Sequence, residues 1–171
     1  ISESFFLLLC GCGVGFSVEF ENVDKIPRVK KQVEPRLVTF FIEDSTEGWI
    51  EALRMGLSYW MTGYDLQFDY SAIRPKGSPL KTKGGQASGS EPLRKLLDFT
   101  RDKILSRQGK KLTSLDCHDI QYRIIDTTKT DPGYHILKKD IEILTEKFGW
   151  IESHSCTYFG EEQTKRRKVS L

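Results

Sequence analysis

The sequence predicts a single α/β domain, and three features carry that expectation. Runs rich in β-branched and aromatic residues alternate with amphipathic runs, and the amphipathic runs are bounded by capping residues and glycines. The chain has 171 residues, 38% of them hydrophobic and 29% charged, which is enough to bury one core. The order read from the chain is helix, strand, strand, helix, strand, loop, helix, the alternation of an α/β architecture that falls short of a full doubly wound sheet.

The first run, "ISESFFLLLCGCG", is too short and too soon interrupted to cross a bilayer, and Glu3 sits where a secretory signal would carry positive charge. Residues Ser2 to Leu9 read as the end of a buried helix in a chain already in progress. A glycine-rich turn follows. "VGFSVEF", Val14 to Phe20, alternates like a strand, Glu21 to Pro35 is a charged connector that exposes Lys25 and Lys30, and "RLVTFFIED", Arg36 to Asp44, is the second strand.

Asp44 is expected to cap the next helix, with Glu47 three residues on and Trp49, Leu53, Gly56, Leu57 and Trp60 on one face, before Gly63 ends it. "YDLQFDY", Tyr64 to Tyr70, is the third strand. Ser90 caps a helix whose apolar face is Leu93, Leu96, Leu97, Thr100 and Ile104. The aromatics Phe5, Phe6, Phe40, Phe41, Trp49 and Trp60 sit at core-like spacing.

Charge and cysteine content narrow the function. The formal net charge is +2, from 26 basic and 24 acidic residues, too small to imply nucleic acid as a bulk partner. Any basic site must be local. Four cysteines with no C-x-x-C pair suit a reducing cytoplasm, with Cys10 and Cys12 as core or turn thiols. Cys117 with His118, and His154 with Cys156, lack the spacing of a zinc knuckle, and no metal is expected. No nucleophile elbow, Walker loop or zincin helix is present.

Two glycine-bearing stretches remain. "GCGVG", Gly11 to Gly15, fails as a dinucleotide fingerprint because a helix precedes it and a strand follows, the reverse of what the pyrophosphate needs. It reads as a sharp turn whose backbone approaches a ligand or a neighbouring strand closely. "IRPKGSPLKTKGGQASGSEPL" lies between a strand and a helix. Lys76, Lys81 and Lys83 supply charge there, and Gly77, Gly84, Gly85 and Gly89 let backbone N–H groups approach an anion, although a solvated surface loop has the same residue types.

Taken together, "GCGVGFSVE", "DSTEGW", "YSAIRPKGSPLKTKGGQASGSEPL" and "KLTSLD" resemble, in order and spacing, the adenosylcobalamin-dependent (class II) ribonucleoside-triphosphate reductases. The resemblance covers about residues 1–120. It implies part of a ten-stranded α/β barrel of the ribonucleotide reductase type, from an enzyme that reduces ribonucleotides by a thiyl radical under control of a deoxynucleoside triphosphate. Gly11, Gly13, Gly15 and Ser17 would form a turn near the substrate. Lys81, Lys83, Gly84 and Gly85 would belong to the first specificity loop, with Lys81 on the effector's phosphates. The "DSTEGW" helix would lie beside that site, in the segment that imitates a dimer interface in monomeric members.

The resemblance also implies what is not here. The thiyl Cys, its Glu and Asn partners and the redox cysteines match no position of this chain, so no catalytic residue is assigned. The first redox Cys is expected before Ile1 and the finger loop after Leu171. Residues 121–171 depart from the family and read as an inserted or divergent αβ tail, with an amphipathic run from His135 to Phe148 and a strand-like "WIESHSCTYF". Arg166 and Arg167 would be a displaced second specificity loop or a plain basic terminus. The expected partners are nucleoside triphosphates, the deoxynucleotide effector, and, for the complete enzyme, adenosylcobalamin and a dithiol reductant such as thioredoxin. Neither a membrane nor direct nucleic-acid binding is expected. The alternative is a noncatalytic nucleotide-binding remnant or an interaction module.

Overall fold

A computed structural model describes residues 1–33, 38–80 and 85–128. Its elements in order are α1 (Ser2–Leu9), α2 (Phe20–Val23), β1 (Val38–Phe41), α3 (Thr46–Thr62), β2 (Leu66–Asp69), α4 (Glu91–Leu105) and α5 (Ser114–Thr128). Strands β1 and β2 pair in parallel, Val38 opposite Leu66 through Phe41 opposite Asp69, with α3 as the crossover. This βαβ unit is the α/β part of the expectation. Among the described residues the sheet has two strands.

Helices α1, α3, α4 and α5 pack around one core. Leu93, Leu96, Leu97, Thr100 and Ile104 are the buried face of α4, as the sequence predicts. They meet Leu53 and Trp60 of α3, Phe5 of α1 and Ile120 and Ile124 of α5. Each such aliphatic side chain contributes about 1.5–3 kcal/mol when fully buried. Two expected core aromatics are on the surface: Phe6 is 40% exposed and Phe41 54% exposed, because α1 turns Phe5 and Leu9 to the core and β1 turns only Phe40 toward it.

Helix ends explain two of the glycines. The N–H of Cys12 donates to Leu7 O and that of Gly11 to Leu8 O, while Gly11 takes φ +80°, a Schellman stop for α1. Tyr64 N–H to Tyr59 O and Gly63 N–H to Trp60 O, with Gly63 at φ +86°, close α3 in the same way. The cap at the start of α3 differs from expectation. Ser45, not Asp44, holds the N-cap, its Oγ accepting from Gly48 N at 2.9 Å. Ser90 occupies the N-cap of α4 without a side-chain capping bond.

The largest departure is Val14 to Phe20, which is not a strand among the described residues. Val14 is buried, Phe16 and Val18 are half-buried, and the residues between them are exposed, so the alternation is real. What it lacks is a ladder: neither described strand lies beside it, and its last residue opens α2. The connector also differs from a solvated linker. Val29 is fully buried, its N–H donates to Lys110 O at 2.9 Å, and Gly109 N–H returns a bond to Val29 O at 2.7 Å. Lys30 N–H to Met61 O and Val33 N–H to Gly63 O fix the same segment along the end of α3. The expected tail lies outside the described residues beyond Thr128, and α5 runs unbroken from Ser114 across residue 120.

Candidate functional site

The glycine and lysine stretch after β2 folds into a short hairpin stem. Pro79 and Gln86 form an antiparallel bridge. Leu80 N–H donates to Gly85 O at 3.0 Å, Ala87 N–H to Ser78 O at 2.7 Å, and Gly77 N–H to Ala87 O at 2.9 Å. A turn at Pro75 starts the stem, with both the N–H and the hydroxyl of Ser78 donating to Pro75 O. Gly77, Gly85 and Gly89 take φ of +91°, +80° and +76°, a backbone that L side chains adopt at a cost of about 1–2 kcal/mol.

Three contacts clamp the base of this hairpin. Arg74 Nε donates to Asp44 Oδ2 at 2.7 Å, tying the incoming arm to the residue before the α3 cap. Gly89, in the outgoing arm, passes so close to Lys76 that a Cβ there would lie 3.1 Å from Lys76 N. Arg94, in the first turn of α4, sits over the Tyr70 ring at 4.3 Å. Burial, and the nearby charge of Asp98, push the Tyr70 hydroxyl up to about 12, so it is neutral at any physiological pH. Lys81, Lys83 and Gly84, the residues expected to meet an anion, lie outside the described residues. Their sequence positions put them between the two arms of the stem, and Gly85 closes it.

At the other glycine stretch, the structure separates Gly11 from its neighbours. Gly11 is needed to end α1. A Cβ at Gly13 or Gly15 would meet nothing within 4 Å, so packing within the described residues does not require glycine there. Ser17 is exposed, and its Oγ accepts from Glu19 N at 3.3 Å. Cys10 and Cys12 are exposed thiols of the turn, while Cys117 is buried and its thiol is pushed up by burial. Arg166 and Arg167 fall outside the described residues. Among the described residues no three His, Cys, Asp or Glu side chains gather as metal ligands, and no helix is long and apolar enough to cross a membrane.

Sequence reasoning did not find the Arg74–Asp44 pair, whose partners lie 30 residues apart. It also missed the lock at the start of α5, although "KLTSLD" carries the Thr-x-x-Asp spacing of a capping box. Asp116 Oδ2 accepts from Thr113 N at 2.8 Å and Thr113 Oγ1 at 2.7 Å, and Arg107 Nε approaches the same oxygen at 2.7 Å. Burial alone would raise the Asp116 pKa, but the bonds from Arg107 and Thr113 outweigh it and hold the carboxyl below its usual range. Asp65 is held low chiefly by the Arg101 guanidinium, which bonds both of its oxygens.

Comparison with known proteins agrees with the motifs. The chain is 34% identical over 113 residues to the adenosylcobalamin-dependent ribonucleoside-triphosphate reductase of Euglena gracilis, covering 66% of this chain and 15% of that protein. It is 30% identical over 148 residues to that of Lactobacillus leichmannii, covering 66% and 20%. A probable reductase of the same description from Dictyostelium discoideum is 40% identical over 82 residues, covering 47% and 11%. The crystal structure of a B12-dependent (class II) ribonucleotide reductase superposes with a TM-score of 0.68 at 25% identity, over 85% of this chain and 27% of that one. No family model matches the chain. The resemblance read from the motifs is borne out, and the chain spans between 11% and 20% of the length of these curated relatives.

Proposed function

We propose that this chain is a segment of an adenosylcobalamin-dependent ribonucleoside-triphosphate reductase and that its hairpin holds the controlling deoxynucleoside triphosphate. The observation that carries the reading is the hairpin itself. Its stem is hydrogen-bonded, its incoming arm is tied to Asp44, and Lys81, Lys83 and Gly84 fall in the sequence between its two arms. Lys81 and Lys83 would contact phosphate oxygens, and the N–H groups of Gly84 and Gly85 would complete the anion site. Gly13, Gly15 and Ser17 would border the substrate, where open space beside the two glycines leaves room for it. The glycine at 11 serves helix α1 in this reading. Arg166 and Arg167 would serve as a second specificity loop.

In the complete enzyme, Val14 to Phe20 and the β1–β2 pair would take their places in the ten-stranded barrel, within a reductase-like unit of residues 1–120 followed by a divergent tail at 121–171. The corrinoid would supply the radical that starts the chemistry. The described residues do not fit a site for it: the exposed thiols Cys10 and Cys12 belong to a helix stop, and no other ligand group gathers. No step is therefore assigned to it on this chain. Thioredoxin or another dithiol would be the reductant of the complete enzyme, in the cytoplasm.

A chimera tests the proposal. Residues 1–128 replace the matching segment of the Euglena gracilis reductase, and reduction of ribonucleoside triphosphates is assayed with adenosylcobalamin and a dithiol. The reading expects an active enzyme that still responds to deoxynucleotides. A folded chimera that binds deoxynucleotides but reduces nothing would favour the noncatalytic remnant.

A further inference from the structure

The small net charge of the chain hides an uneven distribution. The bonds between Val29 and the backbone of Gly109 and Lys110 bring residues 25–33 against residues 107–111. These two stretches hold the cations Lys25, Arg28, Lys30, Lys31, Arg107, Lys110 and Lys111. Two of them are neutralised: Arg107 by Asp116, and Lys111 by Asp24 at 2.7 Å. Lys25, Arg28, Lys30, Lys31 and Lys110 are all exposed and have no carboxylate partner among the described residues. Arg28 reaches only Gly109 O and Lys25 only Asn22 Oδ1, each at 3.5 Å. The face thus carries more positive charge than the +2 of the whole chain.

Exposed aromatics flank these cations. Phe20, 75% exposed, opens the single turn of α2, whose C-cap Asp24 is the partner of Lys111. Tyr64, 47% exposed, follows Gly63, whose carbonyl takes the N–H of Val33. We infer that the face formed by residues 25–33 and 107–111 binds single-stranded nucleic acid, its cations on successive phosphates and Phe20 and Tyr64 against bases. Exposed lysines with no carboxylate partner among the described residues suit an extended polyanion, and aromatic platforms at the rim add stacking that an acidic peptide would not use. This reverses the expectation drawn from net charge, and it does not depend on the hairpin.

The test is fluorescence anisotropy of a labelled oligodeoxythymidine of twenty residues with the 171-residue chain, across a salt series. Five phosphate contacts give log K a slope against log salt of about −3.5 for a single strand. Lys30→Gln with Lys110→Gln should make that slope shallower by about 1.4 and leave thermal melting unchanged. Phe20→Ser should weaken the oligonucleotide roughly tenfold through lost stacking. Arg54→Gln with Lys95→Gln, on exposed helix surfaces, and Lys81→Ala, on the hairpin, should leave it unaltered. No binding at 50 mM salt by folded wild type overturns the inference, as does equal loss in the Arg54 and Lys95 control or with Lys81→Ala. A polyglutamate peptide held as tightly as the oligonucleotide also overturns it, making the face a dock for acidic proteins.

Discussion

Arg74 donates to Asp44 at 2.7 Å, and through that bond the arm leading into the hairpin is fixed to the start of α3. Both side chains are about one-third exposed, 37% and 31%, so the pair is worth only about 0.5–1 kcal/mol to global stability. Its effect is local. Asp44→Asn should leave the melting temperature nearly unchanged while raising amide exchange at Gly77 and Ala87, whose N–H groups hold the stem. Exchange measured by mass spectrometry checks this, and unchanged protection would mean the stem stands without its clamp.

The two glycine positions of the first turn should separate cleanly. Gly11→Ala forces a Cβ into φ +80° and should cost about 1 kcal/mol of stability. Gly13→Val should cost little, since a Cβ there meets open space. If the turn borders a nucleotide, Gly13→Val loses binding at unchanged melting temperature. Melting and nucleotide titration of both variants decide it.

Much of this fold is legible in the sequence, and the gaps have physical causes. The face of α4 from Leu93 to Ile104 can be read because a helix buried on one side repeats its apolar residues every three or four positions. Gly63 can be read because a helix stop favours the one residue without a Cβ. Val14 to Phe20 alternates without being a strand among the described residues, because alternation reports which side is buried, while a strand also needs a neighbour to bond. Asp44 misleads because Asp and Ser are adjacent and either can cap; the distant Arg74 takes the aspartate. The candidate site is legible as composition, in its lysines and glycines. The clamps that would aim it are not, because they join residues far apart in the chain.

A glycine that sequence reading assigned to the helix stop also carries a steric demand. A Cβ at Gly63 would overlap the carbonyl oxygen of Lys31, besides sitting at φ +86°. Gly63→Ala should therefore destabilise by more than the about 1–2 kcal/mol of left-handed strain alone. Urea unfolding measures it, with Gly109→Ala, also at positive φ but with only the Lys31 side chain near, as the milder reference.

Acid should act on the start of α5. Against the opposing effect of burial, the bonds from Arg107 and Thr113 hold the Asp116 carboxyl below its ordinary range in the folded chain, so its stabilising share is complete above the unfolded value and is lost as pH falls through the lower folded one. Asp116→Asn should lower stability at pH 7 by about 1–3 kcal/mol and flatten the acid limb of the stability curve. Melting between pH 2 and pH 7 checks both, and a parallel loss at every pH would assign the effect to the cap alone.

The most direct test of the central claim is calorimetric titration of the four deoxynucleoside triphosphates into wild type, Lys81→Ala and Lys95→Ala at fixed salt. A charge-assisted contact to phosphate is worth about 1.5–3 kcal/mol, so Lys81→Ala should weaken binding by roughly ten- to a hundredfold. Lys95→Ala, whose side chain is 66% exposed on α4, should change it little. Equal losses in both variants, or no binding by a wild type that melts cooperatively, would contradict the claim that the hairpin holds a nucleotide.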